Sequence, residues 1–292
     1  MKNKIFDGVG TALVTPFRDG KIDLDALKRL IEMQISAEVD ALIFAGTTGE
    51  CATLTDTERY ELFEAASSIA RGRVKLIFGT GTNDTEAMIR HSKIAEKYSP
   101  DGLLVVTPYY NKGTADGIIK HYESLIKAVN LPIIIYNVPS RTGVNLSIDI
   151  LKRLAMHEEI VGIKEAGDSV SRLVSLAALR EDLPIYAGND NQLLSVLALG
   201  GAGVISVVSN ILPEGVVEIY RLARMGKWSE ALLCQTKMLG VIDAMFCETN
   251  PAPVKWLMHR LGLIADEIRL PLTLPSEASQ RVIFEKYSEY IS

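Results

Sequence analysis

Short apolar runs alternate with stretches of helical periodicity along the first 225 residues of the chain. Each of eight apolar runs predicts a β-strand, and each is followed by apolar residues at helical spacing. The predicted strands are 9–14, 41–45, 74–78, 103–106, 133–136, 160–166, 185–187 and 204–208. The helices that follow them are predicted at 24–35, 57–70, 85–98, 115–129, 148–156, 170–179, 192–199 and 214–225. Near-continuous apolar strands separated by helices indicate parallel strands that are buried on both faces.

This alternation predicts an α/β fold, a closed (β/α)8 TIM barrel over residues 1–225. A doubly wound open sheet is the main alternative, but it normally has a Gly-rich nucleotide turn after an early strand. The first strand here runs instead into Thr15-Pro16-Phe17-Arg18. Residues 226–292 contain further helical patterns at 230–246, 253–261 and 277–287, which predict a C-terminal helical region on the barrel. The glycine-rich segment 200–203 precedes the last strand, so we interpret it as a tight turn and not as a phosphate cradle.

Composition and charge argue against nucleic acid, a membrane or a metal ion as a partner of this chain. The 292 residues carry a formal net charge of -5, and the chain has no long Lys/Arg run, so a nucleic-acid-binding surface is not expected. The N-terminus lacks the apolar segment of a signal peptide, and no apolar run approaches the ~20 residues of a membrane span. We therefore expect a cytoplasmic protein. Three cysteines and four histidines at unrelated spacings predict neither a disulfide framework nor a metal site.

Lys164 stands at the far end of the apolar segment 160–166 and has two interpretations. The strand could stop at Ile163 and leave Lys164 solvated. Alternatively, burial would favour the neutral amine, a nucleophile that can form a Schiff base with a carbonyl substrate. Active sites of barrels lie at the carboxyl ends of the strands, so residues at the other strand ends decide between the two.

Several residues at the other strand ends could bind a small acid or transfer protons beside a reactive amine. Thr47 and Thr48, in Gly46-Thr47-Thr48-Gly49-Glu50, offer hydroxyl and backbone N–H groups to a small anion, although such a segment is often only a turn. Tyr136 is suited to proton transfer, and its alternative is a core tyrosine. Arg141 offers a bidentate fork to a carboxylate, and its alternative is a solvated loop residue. The other polar residues at strand ends are Tyr109, Tyr110 and Gly188-Asn189-Asp190. Because all of these residues could converge on one pocket, the interpretation of Lys164 as a reactive amine is favoured.

Four ordered motifs and a tail segment resemble the dihydrodipicolinate synthase family of pyruvate-dependent class I aldolases. The motifs are Gly46 to Glu50, Thr107-Pro108-Tyr109-Tyr110-Asn111, Tyr136-Asn137-Val138-Pro139-Ser140-Arg141-Thr142-Gly143 and Gly162-Ile163-Lys164-Glu165-Ala166, with Glu248-Thr249-Asn250-Pro251 in the tail. The resemblance runs nearly end to end. The Thr-Thr pair and Arg141 favour the synthase over N-acetylneuraminate lyase within the superfamily.

The resemblance implies a lyase of diaminopimelate and lysine biosynthesis that joins pyruvate to L-aspartate 4-semialdehyde. Lys164 would form the imine, and Tyr136 would transfer protons through Thr47 to Tyr110 of a neighbouring subunit. Pyruvate would be held by Thr48 and the backbone at Ile205, and the semialdehyde by Arg141, with Gly188 also in the substrate site. No cofactor is implied. The family is commonly a homotetramer built from two tight dimers.

Two alternatives remain at this stage. One is another pyruvate aldolase, acting on 2-keto-3-deoxy sugar acids or N-acetylneuraminate. The other is a non-catalytic barrel that binds a small acid. The sequence also leaves open whether the Cys51 thiol, next to the proposed site, is reactive or merely small.

The lysine effector site of the family is altered in this sequence. Asp56 and Arg59 stand where lysine-inhibited members have two histidines, and Ala87 stands in place of a glutamate, whereas Asn83 and Tyr109 remain. A lysine ammonium would find poorer partners here. We therefore expect weak or absent feedback inhibition, which turnover in millimolar L-lysine would test.

Overall fold

Eight parallel strands close into a barrel in the computed structural model, which describes residues 3–292. Each strand pairs with the next along the chain, and the last pairs with the first. The strands are β1 (Gly8–Ala12), β2 (Ala41–Phe44), β3 (Lys75–Gly79), β4 (Gly102–Val106), β5 (Ile133–Asn137), β6 (Ile160–Glu165), β7 (Ile185–Ala187) and β8 (Gly203–Ser206). The predicted (β/α)8 barrel is confirmed.

A helix follows each strand on the outside of the barrel. The helices are α1 (Leu24–Ser36), α2 (Asp56–Ala70), α3 (Thr85–Glu96), α4 (Ala115–Ala128), α5 (Pro139–Thr142), α6 (Ile148–Leu154), α7 (Val170–Ala177), α8 (Leu193–Ala198) and α9 (Pro213–Arg224). Several begin at a side-chain oxygen that accepts an otherwise unpaired backbone N–H. Thr55, at the start of α2, forms a reciprocal capping box with Glu58. The turn α5 was not predicted, since four residues are too few for a periodic pattern.

The apolar side chains form two layers. One cluster fills the interior of the barrel, and a larger one lies between the strands and the surrounding helices. Successive strand residues point alternately into these layers. This explains why the strands are apolar on both faces.

The barrel closes between β1 and β8, where the two backbones approach each other closely. Gly8 is the register partner of Gly203, and a Cβ atom on Gly203 would lie 1.8 Å from the Gly8 carbonyl oxygen. Gly203 also has a φ of 158°, in the region that favours glycine. The glycine-rich segment 200–203 thus leads directly into the first residue of β8.

The C-terminal region consists of α10 (Trp228–Ala244), α11 (Ala252–Arg260) and α12 (Glu277–Ile291). Helix α10 packs on α9 and on α12. The division into 1–225 and 226–292 stays a prediction. A hairpin of two-residue strands, Phe17–Arg18 and Lys21–Ile22, was missed because it is too short to show alternation. Among the helices of residues 3–292, none has the length and apolar character to cross a membrane.

Candidate active site

Lys164 lies near the carboxyl end of β6, where the barrel encloses its side chain. Its exposed fraction is only 4%. It is the register partner of Tyr136 on β5, and its Nζ atom lies 4.4 Å from the centre of the Tyr136 ring. No carboxylate in residues 3–292 forms an ion pair with this amine. The interpretation of Lys164 as a solvated residue beyond the strand is therefore wrong.

The next residue, Glu165, points to the opposite face because side chains alternate along a strand. Its buried carboxylate accepts hydrogen bonds from Asn137 Nδ2 at 2.8 Å and from Arg172 Nε at 2.9 Å. The Gly167 N–H donates to it as well, at 2.9 Å. Glu165 is thereby bound outside the barrel interior and is not a partner of the Lys164 amine.

A second buried carboxylate, Asp190, lies on the loop that follows β7. It accepts hydrogen bonds from the Ser206 hydroxyl and from the backbone N–H groups of Val207 and Val208, the last two at 3.0 and 3.4 Å. Burial raises the pKa of Asp190, and the hydrogen bonds and the charge of Lys164 oppose that rise. The sequence placed Asp190 at a strand end without a role. The structure adds it as a buried carboxyl group that interacts electrostatically with Lys164.

The C-terminal region holds the loop that follows β2. Asn250 Nδ2 donates to the Thr48 hydroxyl oxygen at 3.0 Å, and the Asn250 carbonyl accepts from Arg141 Nη2 at 2.9 Å. One tail residue therefore connects two predicted substrate-binding residues. The contact with the Asn250 carbonyl occupies one nitrogen of the Arg141 guanidinium. The rest of this side chain, predicted to bind a carboxylate with two nitrogens, is exposed.

Glu50, at the end of the same loop, is buried in an ion pair with Lys255 of α11. The Lys255 Nζ atom lies 2.5 Å from Glu50 Oε1 and also donates to the Thr15 carbonyl at 3.1 Å. The backbone N–H of Arg269 donates to the other Glu50 oxygen at 2.9 Å. These contacts fix the position of the Thr47–Thr48 segment relative to the barrel.

A cavity of about 450 Å³ opens beside this loop. Thr47, Val106, Val138 and Arg141 contribute to its lining, and Val106 is the register partner of Tyr136. Thr47 and Arg141 thus border a space large enough for small organic acids, whereas Lys164 and Tyr136 do not line it. Cys51 also lines the cavity, and burial raises the pKa of its thiol. A raised pKa disfavours the reactive thiolate.

The other predicted site residues, Ile205, Gly188 and Tyr110, lie on three different elements and differ in exposure. Ile205 is fully buried in β8, opposite Gly10 of β1. Gly188 donates its N–H to the Glu165 carbonyl at 2.6 Å, directly after β7. Tyr110 is 89% exposed and has a φ of 70°, a backbone region that non-glycine residues seldom adopt. Its ring faces solvent, and within the described residues it does not contact Lys164.

Within the described residues 3–292, no group of three or more His, Cys, Asp and Glu side chains is arranged to hold a metal ion. The side chain that the structure places against Lys164 is the Tyr136 phenol. A phenol can transfer protons, which a buried amine needs to form and resolve an imine.

Comparison with known proteins agrees with this chemistry. Residues 5–287 match the model of the dihydrodipicolinate synthetase family. The 4-hydroxy-tetrahydrodipicolinate synthase of Clostridium novyi is 43% identical over 287 residues, which cover 98% of this chain and 97% of the relative.

Solved structures are similar over the same length. The dihydrodipicolinate synthase of Acinetobacter baumannii complexed with pyruvate superposes with a TM-score of 0.95 at 38% identity, covering 98% of this chain and 99% of that one. A monomeric dihydrodipicolinate synthase variant superposes with a TM-score of 0.96 at 40% identity, covering 98% and 97%.

Proposed function

The chain belongs to the dihydrodipicolinate synthetase family, and we infer from that premise how its own residues carry the reaction. The protein is a lyase that condenses pyruvate with L-aspartate 4-semialdehyde to 4-hydroxy-tetrahydrodipicolinate, in the diaminopimelate and lysine pathway. The observation that carries the mechanism is the buried amine of Lys164 beside Tyr136. Cytoplasmic location stays a prediction.

Lys164 is the nucleophile of the proposed mechanism. Its amine attacks the ketone carbon of pyruvate, and loss of water gives an iminium ion. The iminium withdraws electrons, so the methyl group loses a proton and becomes an enamine carbon. No external cofactor is required in this scheme, because the imine itself accepts the electron pair. Asp190, held after β7 by the Ser206 hydroxyl and the Val207 N–H, is a buried carboxyl group whose pKa responds to the charge at Lys164.

The enamine carbon then forms the new bond to the aldehyde carbon of the semialdehyde. The aldehyde oxygen becomes a hydroxyl by taking a proton, which we assign to Tyr136. The amino group of the bound semialdehyde next attacks the imine carbon, closes the ring and expels the Lys164 amine. Tyr136 stands beside Lys164 in the register, which supports its role at both proton transfers.

Two groups of residues hold the substrate carboxylates in this proposal. Thr48 and the backbone at Ile205 bind the pyruvate carboxylate, and Arg141 binds that of the semialdehyde. Gly188, beside the end of β6, contributes to the wall of the substrate site. The Asn250 bridge supports these assignments, because it fixes Thr48 and Arg141 relative to each other.

Tyr110 completes the proton relay from a neighbouring subunit. Its exposure and its left-handed backbone support this role, because the ring is presented outward at a conformational cost. We propose that Tyr110 reaches Thr47 and Tyr136 of the partner in a homotetramer. Association would then be part of the mechanism, and dissociated subunits would have little turnover.

Borohydride trapping tests the central assignment. Treatment with pyruvate and borohydride is expected to add one reduced pyruvate to Lys164, located by peptide mass mapping. Lys255, the second buried lysine, is an internal control and should remain unmodified. An adduct on another lysine, or none, would contradict the mechanism. Turnover of aspartate semialdehyde against 2-keto-3-deoxy sugar acids and N-acetylneuraminate then separates the synthase from the related aldolases.

A further inference from the structure

Tyr136 and Lys164 are each followed by a polar residue on the opposite face of the same strand. The register pairs Tyr136 with Lys164, and it pairs Asn137 with Glu165. Side chains alternate along a strand, so Asn137 and Glu165 lie outside the barrel interior that holds the Lys164 amine. Both are fully buried, with exposed fractions of 0%. A buried amide and a buried carboxylate are costly unless they are hydrogen-bonded.

Asn137 and Glu165 are bonded directly to each other. Asn137 Nδ2 donates to the two carboxylate oxygens of Glu165, at 2.8 and 3.0 Å. The same nitrogen donates to Asn145 Oδ1 at 3.0 Å, and Asn137 Oδ1 accepts from the Leu146 N–H at 3.1 Å. The orientation of the Asn137 amide is therefore fixed, because its nitrogen faces acceptors and its oxygen faces a donor.

Arg172 of α7 completes this cluster from the outside. Its Nε atom donates to Glu165 Oε2 at 2.9 Å, and its Nη1 atom donates to the Leu146 carbonyl at 2.7 Å. The Gly167 N–H donates to the other Glu165 oxygen at 2.9 Å. The Glu165 carboxylate thus connects β5, β6, the loop after β6 and helix α7.

The register between β5 and β6 changes along these strands. The pairing shifts by one residue between Ile133 and Ile134, so β6 contains one extra residue at that point. Because side chains alternate, a slip of one residue moves every side chain of a strand to the other face. A further slip beyond this irregularity would take the Lys164 side chain away from the Tyr136 ring. The bond between Asn137 and Glu165 lies at the strand ends, where it opposes such a slip.

We propose that Asn137 and Glu165 are positioning residues of the Schiff-base reaction. Their bond on the outer face fixes the register of the two strand ends, and this register holds the Lys164 amine against the Tyr136 ring on the inner face. This role rests on the proposed function and adds the reason why the amine and the phenol stay together. A displacement of about 1 Å at a reacting group can lower a rate about 100-fold.

Two nearly isosteric single variants test this role. Glu165→Gln places amide hydrogens against the Arg172 and Gly167 donors, and Asn137→Asp places a second carboxylate against Glu165. Each should slow turnover about 10-fold or more by moving a strand end. The rate of imine formation, measured by quenching pyruvate mixtures with borohydride at increasing times, should fall as well. Rates are compared at temperatures where thermal unfolding shows each variant to be folded, so a loss of stability alone would leave them unchanged.

Asp40→Asn is the matched control for replacement of a carboxylate by an amide. Asp40 also connects two neighbouring strands, because its Oδ2 atom accepts from the Val9 N–H at 2.8 Å. This bond lies at the amino ends of β1 and β2, the end of the barrel opposite Lys164. Turnover and imine formation should equal those of the wild type. Equal losses in Asp40→Asn and Glu165→Gln would overturn the proposal.

The exchange variant Asn137→Asp/Glu165→Gln restores one carboxylate and one amide with reversed roles. The introduced amide can donate to the introduced carboxylate, and its oxygen can still accept from Arg172. Both rates should recover at least several-fold over the slower single variant, which a loss of two independent contacts would not produce. Wild-type rates in both single variants, or no recovery in the exchange variant, would overturn the proposal.

Arg172→Lys decides the question if a buried variant does not fold, because Arg172 lies at the partly exposed edge of the cluster. A lysine keeps the charge but cannot reproduce the two-pronged donation to Glu165 and Leu146. Turnover should fall several-fold, and unchanged turnover would overturn the proposal. Trapping of pyruvate on Lys164 of the wild type does not depend on these variants. Its absence would refute the proposed function, whereas normal trapping with unaffected variants would refute only the positioning role.

Discussion

Two lysine side chains are almost completely buried, and their surroundings are opposite. Lys164 at the barrel end is 4% exposed, lies against the Tyr136 ring and has no ion pair within residues 3–292. Lys255 on α11 is 2% exposed and lies 2.5 Å from a Glu50 carboxylate oxygen. Both Nζ atoms lie near an aromatic ring, Lys164 against Tyr136 and Lys255 at 4.6 Å from the centre of the Phe17 ring.

Burial alone therefore does not distinguish a reactive lysine from a structural one. The pKa of Lys255 is lowered by burial, and its carboxylate partner works against that effect and favours the charged form. An amine whose charged form is held by a carboxylate and a carbonyl oxygen is a poor nucleophile. The two sites differ in the partner of the amine, because Lys255 has the Glu50 carboxylate and Lys164 has no ion pair within residues 3–292. Variants that remove either amine or the Glu50 charge therefore test the comparison.

The largest effect is expected from Lys164→Ala. Without the amine no imine forms, and turnover should fall about 10³-fold or more, whereas the fold should persist because no ion pair is broken. Steady-state assay and thermal unfolding measure the two outcomes. Lys164→Ala protein with near-normal turnover would end the comparison, since the buried amine would then not be the reactive one.

Lys255→Met should have the opposite effect to Lys164→Ala, a loss of stability with the reactive amine still present. Removal of the cation leaves a buried Glu50 carboxylate uncompensated, and we expect a loss of about 3–5 kcal/mol in the free energy of unfolding. The double variant Lys255→Met/Glu50→Gln should recover part of that loss, because the amide can still accept from the Arg269 N–H. Denaturant unfolding of the two proteins measures this. Equal stability of the single variant and the wild type would show that the pair contributes nothing.

Tyr110→Phe tests whether Lys164 depends on a group outside its own subunit. Loss of the hydroxyl should reduce turnover about 100-fold, the lower end of the range for general acid–base catalysis, with unchanged folding and association. Turnover and analytical ultracentrifugation are the measurements. Val170→Ala, on an exposed apolar side chain of α7, is a control for surface substitution in general. Wild-type turnover in Tyr110→Phe would count against the shared relay.

A smaller effect is expected from pH, through His121 on α4, a buried titratable group that hydrogen-bonds to Thr85. Burial lowers its pKa to about 4, from 6.5. The unfolded state therefore binds a proton below pH 6.5 that the folded state does not. The free energy of unfolding should decrease as pH falls from about 6.5 towards 4, by up to about 1.4 kcal/mol per pH unit. Denaturant unfolding of wild type and His121→Phe over this range should show a shallower slope in the variant, and parallel slopes would contradict it.

The barrel could be predicted because its signal is local. Strands and helices differ in the spacing of their apolar residues, and the two kinds of segment alternate along the chain. Most predicted element bounds agree with the structure to within one or two residues, as in β7 at Ile185–Ala187. The short hairpin at Phe17–Ile22 and the turn α5 were not predicted, because elements of two to four residues span only about one period and show no repeat.

The site was predictable only in part. The strand ends located Lys164 and Tyr136, since parallel strands bring their carboxyl ends together. The bond from Asn250 to Thr48 and the pair of Lys255 with Glu50 join residues 202 and 205 positions apart. No periodicity in the sequence connects such positions, so these contacts required coordinates.

The attachment of Asn250 and Lys255 to the loop 46–50 has a consequence for recombining this chain with its relatives. A barrel shortened to residue 225 would retain Lys164 but leave the Thr48 hydroxyl and the Glu50 carboxylate without their bonding groups. Exchange of residues 226–292 between homologous enzymes would therefore preserve catalysis only where the donor tail supplies the same amide and ammonium. The tail and the barrel have to be inherited together.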